Sequence, residues 1–252
     1  MIPARYASTR LPGKPLADLC GKPMIQWVYE QACRAKLPER IIVATDDVRI
    51  LEAVQAFRGE AVMTPAEMRS GTDRIAAIAK EIDADVFINI QGDEPFVEPG
   101  EIDLVARILT EDPEPVMGTL VKRISRAEEL LSPNTAKVVV DRNHQALYFS
   151  RSPIPFLRDS GQMAQWFEHG NYFKHVGIYS YRKQFLLQYA SWEETPLECM
   201  EKLEQLRVLE HGYAIKVAET LSEPVCVDTP EDLENARRIV TDRKLPAGKE
   251  CL

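Results

Sequence analysis

Two short apolar runs constrain this chain most: IIVAT at Ile41–Thr45 and VFINI at Val86–Ile90. Both are rich in β-branched residues, and neither alternates with polar ones. That pattern belongs to strands buried on both faces. Each runs into acidic residues and then into a helical pattern. Asp46 and Asp47 can cap a helix carrying Ile50, Leu51, Val54 and Phe57; Gln91–Pro95 precede a helix around Glu101–Thr110. A weaker strand, Ala61–Met63, leads to Ser70–Arg74 and a helix with Ile75, Ile78, Ala79 and Ile82. Strands alternating with helices predict an α/β fold, a mostly parallel Rossmann-like sheet with helices on both faces.

From Val116 the rhythm changes. Strands are predicted at Met117–Val121, Lys137–Val140, Ala146–Phe149 and His175–Tyr181, with a hairpin turn at Asp141–Asn143. Polar Ser160–Phe173 reads as a loop. Helices near Lys183–Tyr189 and Glu198–His211, a strand at Ile215–Ala218 and a helix after Asp228–Pro230 complete the chain. The break in rhythm fits a small appendage on one domain spanning 1–252.

The opening stretch, Pro3–Leu16, reads PARYASTRLPGKPL. It follows a strand and precedes a helical pattern from Pro23, with Ile25, Val28, Ala32 and Cys33 on one face. Open α/β sheets bind ligands at the C-terminal ends of their strands. Backbone N–H groups with Arg5, Arg10 and Lys14 suit a polyphosphate. A solvated basic loop is the plain alternative. Lys14 lies in a Pro-Gly turn, placed for phosphate rather than packing, so its loss is expected to leave stability nearly unchanged. Only Met1 and Ile2 precede Pro3, so the first strand starts as a stub and a few residues are expected upstream.

Charge and cysteine content narrow the function. Acidic residues outnumber basic ones 39 to 31, a net charge of −8. A general nucleic-acid surface would be basic. Five scattered cysteines without CxxC spacing argue against a disulfide framework or a zinc site, and fit a reducing cytoplasm. The longest run without a charged residue, Gln184–Trp192, is far short of the ~20 residues that span a bilayer. No signal-peptide pattern opens the sequence. Absence of GxGxxG after the first strand argues against a dinucleotide oxidoreductase.

Two acidic motifs are ambiguous alone. Gly92–Pro95 (GDEP) follows a buried strand, where its carboxylates suit Mg²⁺ on phosphates or simply cap a helix. Val227–Leu233 (VDTPEDL) offers Asp228 or Thr229 as an N-cap with Pro230 at the first helical position. If both motifs end parallel strands, Asp93 and Asp228 meet at one edge.

Taken in order, these stretches resemble the 3-deoxy-manno-octulosonate (Kdo) cytidylyltransferases over nearly the whole chain. The resemblance rests on PARYASTRLPGKPL, VATDD, SGTDR, NIQGDEP, LYFSRSPIP, KHVGIYSYR, LEQLRVLE and VDTPEDL. Sialic-acid activating enzymes share the opening theme but not the later set. The resemblance implies a nucleotidyltransferase that makes CMP-Kdo and pyrophosphate from CTP and Kdo, for lipopolysaccharide synthesis. It implies triphosphate contacts by Arg5, Ser8, Arg10 and Lys14, with Arg74 and Gln91 at the nucleotide or the sugar nearby. It implies Mg²⁺ on Asp93 and Asp228, Lys14 acting with them in catalysis, and a sugar pocket of Gln91, Arg151, His175, Tyr179, Glu204 and Gln205. It also implies a homodimer whose contact lies at about 146–189.

Overall fold

The structure, a computed structural model, describes residues 1–7, 10–158, 166 and 170–243. In chain order the strands are β1 (Ile2–Ala4), β2 (Asp18–Leu19), β3 (Lys22–Pro23), β4 (Val43–Thr45), β5 (Ala61–Met63) and β6 (Val86–Asn89). After them come β7 (Met117–Arg123), β8 (Lys137–Val140), β9 (Ala146–Ser150), β10 (Phe173–Arg182) and β11 (Lys216–Glu219). The helices are α1 (Met24–Cys33), α2 (Val48–Ala56), α3 (Gly71–Ala79), α4 (Pro99–Thr110) and α5 (Ala127–Leu131), then α6 (Lys183–Tyr189), α7 (Pro196–Glu201), α8 (Leu206–Glu210) and α9 (Pro230–Arg243).

β1, β4 and β5 pair in parallel, with β4 central and fully buried, as IIVAT predicts. A second sheet runs β11-β7-β10, with β6 on the other side of β10. Met1 joins the two sheets. Its amine donates to Ile88 O at 2.9 Å, and Ile90 N donates to Met1 O at 3.0 Å, the slanted pattern of a parallel ladder. Along β5-β4-β1-β6-β10-β7-β11 every strand runs one way except β10, antiparallel to β6 and β7; β9, beyond β8 at the edge, shares the direction of β10. The expected mostly parallel sheet is therefore present, with β10 reversed within it. The β8–β9 hairpin hangs on β10 through Val138 and Lys137.

Strand alternation distributes the core. Ile42 and Ala44 face a cluster with Ile75, Ile78, Phe185 and Leu186 of α3 and α6. Ile41 and Val43 face the opposite cluster, with Val28, Ile50, Val54, Ile102 and Val105 of α1, α2 and α4. The two-residue side-chain period of a strand makes this division. A third cluster, with Leu19, Trp27, Phe96, Val227 and Leu233, ties the β2–β3 ribbon to α1 and α9.

Three expectations need correction. The opening loop is more structured than a basic loop: a 3-10 turn at Lys14–Leu16 and the β2–β3 ribbon separate β1 from α1. The helix expected over Glu198–His211 is two helices, because Lys202 adopts a left-handed conformation (φ 52°) and ends α7. Glu204 and Gln205 lie in the resulting break. The loop expected at Ser160–Phe173 falls mostly outside the described residues, and Phe173 already belongs to β10.

Candidate active site

β1, β6 and the segment before α9 deliver their loops to one edge of the sheet. Gly92 permits the closest approach: a Cβ there would lie 2.9 Å from Pro3 O. Val227 N donates to Asp93 O at 2.9 Å, which locks the two acidic motifs side by side. Asp93 and Asp228, far apart in sequence, thereby share one cation. Lys14 Nζ donates to Asp93 Oδ2 at 2.6 Å and to Asp228 Oδ1 at 2.9 Å. Arg10 adds a contact to Asp228 Oδ2 at 3.1 Å. Burial alone would lower the Lys14 ammonium, but the charges and hydrogen bonds of Asp93 and Asp228 together hold it above the ordinary lysine range. The lysine expected to be a loop cation of little structural consequence is instead the half-buried centre of an ion-pair cluster.

The capping ambiguity of VDTPEDL is resolved. Thr229 Oγ1 accepts from Asp232 N at 3.2 Å, while Asp232 Oδ2 accepts from Thr229 N at 2.8 Å and Asp228 N at 3.1 Å. Thr229 and Asp232 cap α9 reciprocally. The Asp228 carboxylate is thus free for Lys14 and Arg10.

A cavity of about 530 Å³ opens beside this cluster, lined in part by Arg5, Arg10, Lys14, Arg74, Gln91 and Asp93. Arg74 is buried and held rigidly. Its Nη2 pairs with Asp46 Oδ2 at 2.8 Å, and its Nη1 donates to Thr64 Oγ1. It comes from α3, whose N-cap Ser70 accepts from Asp73 N at 3.1 Å. Ser8, expected on the phosphates, lies outside the described residues.

The other expected group gathers on β10 and the α7–α8 break. Tyr179 Oη donates to Gln205 Oε1 at 3.3 Å, and Thr72 Oγ1 donates to Glu204 Oε1 at 3.0 Å. Burial pushes the Glu204 carboxyl up, against the hydrogen bond from Thr72 and the charge of Arg207. The ring centroids of His175 and Tyr179 lie 5.2 Å apart. On a regular strand four residues span ~13 Å; a register shift between Val176 and Tyr179 compresses them. Thr119 holds this bulge. Its Oγ1 lies 2.7 Å from Ile178 O and 2.9 Å from His175 Nε2. The single hydroxyl proton goes to the carbonyl, so His175 donates through Nε2–H and keeps Nδ1 as an acceptor. Burial lowers the His175 pKa to about 3, leaving the ring neutral.

Arg151 stands apart from both groups. Its guanidinium donates to Glu201 O (2.7 Å), Pro133 O (2.9 Å) and Lys202 O (3.2 Å). It closes the C-terminus of α7, one step from the break that carries Glu204 and Gln205.

The donor set at the aspartates fits a hard divalent cation. Oxygens of Asp93 and Asp228 and the Cys226 thiol lie within 4.8 Å of one another. The Cys226 side chain is exposed, beside two carboxylates that disfavour a thiolate. Two carboxylates with room for phosphate and water match Mg²⁺ ligation.

Sequence reasoning missed Asp46, Thr64, Thr72, Asn89, Glu94 and Thr119. All but Glu94 act through a hydrogen bond between distant segments. Asp46 and Asn89 could have been flagged as polar residues at the ends of buried strands. Burial, then Asp93 and Glu101, raise the Glu94 pKa to about 8.

Comparison with known proteins shows the family. A family model described as cytidylyltransferase matches residues 1–220. The 3-deoxy-manno-octulosonate cytidylyltransferase of Trichlorobacter lovleyi is 52% identical over 241 residues, covering 94% of this chain and 96% of that one. Its namesake in Geobacter metallireducens is 53% identical over 238 residues, covering 93% and 94%. A solved structure of CMP:2-keto-3-deoxy-manno-octonic acid synthetase complexed with CTP superposes with a TM-score of 0.89 at 45% identity, covering 96% and 97%. The 4-diphosphocytidyl-2C-methyl-D-erythritol synthase of Anaerococcus prevotii shares the fold, with a TM-score of 0.60 at 10% identity, covering 95% of each chain.

Proposed function

Because the chain belongs to the 3-deoxy-manno-octulosonate cytidylyltransferase family, we propose that it transfers the cytidylyl group of CTP to Kdo, giving CMP-Kdo and pyrophosphate. One observation carries the reading: Lys14, Asp93 and Asp228 converge beside a cation-lined cavity at the sheet edge. In the reaction the anomeric hydroxyl of the sugar attacks the α-phosphorus of CTP. The new bond is oxygen to α-phosphorus. The bond from α-phosphorus to the bridging oxygen breaks, pyrophosphate leaves, and the hydroxyl proton is released.

The residues supply what that step needs. Two anions must approach each other, and Arg5, Arg10 and Lys14 offset their repulsion. Ser8 belongs to the same stretch of sequence. Arg74, fixed by Asp46 and Thr64, stands at the nucleotide side with the first turn of α3, and Gln91 stands between nucleotide and sugar. Neutral His175, Tyr179, Glu204 and Gln205 present hydroxyl-binding groups to the sugar, while Arg151 fixes the segment that carries two of them. Asp93 and Asp228 would hold Mg²⁺, which when bound neutralises phosphate charge and lowers the pKa of the attacking hydroxyl.

The product would feed lipopolysaccharide assembly in the cytoplasm; among the described residues no helix is long and apolar enough to cross a membrane. We assign the segment 146–189 to a homodimer contact, supported by the exposure of Leu147 and Phe156. Light scattering at micromolar concentration tests it, and a monomer would reject it.

The functional test is pyrophosphate release with CTP, ATP or GTP against a panel of acidic sugars. CTP with Kdo is expected to exceed every other pair by a wide margin. Equal turnover with ATP would reject the nucleotide assignment, and preference for another acidic sugar would reject the acceptor.

A further inference from the structure

The bulge of β10 exposes a position with no side chain. Gly177 lies between His175 and Tyr179, whose rings approach each other around it. Its backbone does not demand glycine, because it is absent from the positive-φ residues. A Cβ there would meet Gln91 Cγ at 3.6 Å and Glu94 Oε1 at 3.9 Å, which is ordinary contact. An alanine would therefore fit both the conformation and the space. What it would remove is the room in front of the bulge.

Glu94 borders the same room. Among the described residues its carboxylate makes no hydrogen bond, although its backbone N–H donates to Gln91 O at 3.3 Å. Gln91 also lines the cavity at the aspartates. The room at Gly177 and that cavity therefore share a wall. Two polar groups with free hydrogen-bonding capacity border it: the Gln91 amide and the Glu94 carboxyl. A polyhydroxylated ligand matches such a lining, since its hydroxyls can donate to Glu94 and accept from Gln91.

We propose that Gly177 is a specificity-determining position that keeps the acceptor's seat open, and that Glu94 binds acceptor hydroxyls across it. This rests on the reading of the chain as a transferase to a polyhydroxylated acid. A methyl at position 177 takes up the volume of a sugar carbon or hydroxyl. A pocket rejects that kind of overlap by about tenfold or more.

The experiment compares wild type, Gly177→Ala and Glu94→Gln by steady-state pyrophosphate release, varying CTP and Kdo separately, and by melting temperature. Wild-type turnover is the first arm, and its absence overturns the functional reading itself. With wild type active, Gly177→Ala is expected to melt at or slightly above the wild-type temperature and to raise the Kdo KM about tenfold or more. Its CTP KM should stay within about twofold of wild type. Glu94→Gln, of equal size, should raise the Kdo KM with the CTP KM unchanged. An unchanged Kdo KM in Gly177→Ala overturns the seat, and so does a variant that fails to fold, since glycine would then be a backbone requirement. Equal changes in both KM values for Glu94→Gln make it a support for Asp93 and remove it from the acceptor side.

Discussion

Replacing Lys14 by methionine tests the ion-pair cluster most directly, because the side chain keeps its length and loses its charge. Lys14 is only 17% exposed and donates to two carboxylates. A hydrogen bond to a charged group contributes roughly 1.5–3 kcal/mol. Without the ammonium, two carboxylates with oxygens within 4.8 Å of each other lose their shared counter-charge. Their mutual repulsion is then of the order of 3 kcal/mol at an effective dielectric near 20. Partial solvent access and the remaining Arg10 contact offset part of this. A net loss of about 3 kcal/mol follows, or ~6–12 °C in melting temperature for a domain of this size. Burial opposes the raised Lys14 pKa, but the carboxylates prevail. The sign is therefore clear: this stability is whole below the ordinary lysine value of 10.5 and fades as pH rises through the folded value. The assay is thermal denaturation at pH 8, with and without millimolar Mg²⁺. Mg²⁺ should stabilise the variant more than the wild type, since it can replace the lost charge between Asp93 and Asp228. The kcat/KM should fall ~100-fold or more, as for loss of one transition-state charge partner. A melting temperature within ~2 °C of wild type, with no extra response to Mg²⁺, would refute the cluster and restore Lys14 as a surface cation.

Asp228→Asn should keep α9 capped, because Thr229 and Asp232 do that work, yet lose turnover; far-UV circular dichroism and pyrophosphate release separate the two. Asp93→Asn should behave alike, and the double variant should be little worse than either single one. Arg74→Lys should lower the melting temperature by several degrees, because lysine cannot span Asp46 and Thr64 together; an unchanged value would make that clamp dispensable. His175 gives a pH test. Burial depresses its pKa to about 3, so its contribution is present above the ordinary value of 6.5 and is lost as pH falls through the folded value. His175→Asn should flatten the stability profile between those limits by up to ~1.4 kcal/mol per pH unit, and parallel wild-type and variant profiles would contradict it.

How far the sequence could be read depends on what each residue touches. IIVAT and VFINI announced buried strands because both faces of those strands are covered. The sequence brings Asp93 and Asp228 together only if both end parallel strands; Asp93 follows β6, but no strand precedes Asp228, and the Val227–Asp93 bond brings the two side by side instead. The reversed direction of β10 was not legible, since strand direction leaves no trace in an apolar run. Nor was the break at Lys202: helical periodicity continues through Leu203 and Leu206, and only a left-handed residue interrupts it. Glu204 and Gln205 owe their position to that interruption. Arg151 carried a guanidinium suited to a carboxylate, but carbonyls at the end of α7 claim it. The Asp46–Arg74 pair joins segments 28 residues apart and has no local signature.

The Lys14–Asp228 contact spans 214 positions, and this bears on how the protein is made. A ribosome adds roughly 5–20 residues per second. The loop that opens the chain therefore emerges ten to forty seconds, on the order of magnitude, before the carboxylate that completes its ion pair. During that interval β1, β4 and β5 can pair, since their partners are close in sequence. The third apolar cluster cannot close, because Val227 and Leu233 have not yet been synthesised. A nascent chain stalled before α9 would carry an assembled sheet with Lys14 facing Asp93 alone. The complete Lys14–Asp93–Asp228 cluster is thus among the last contacts that translation delivers, and a chain released early holds the sheet without it.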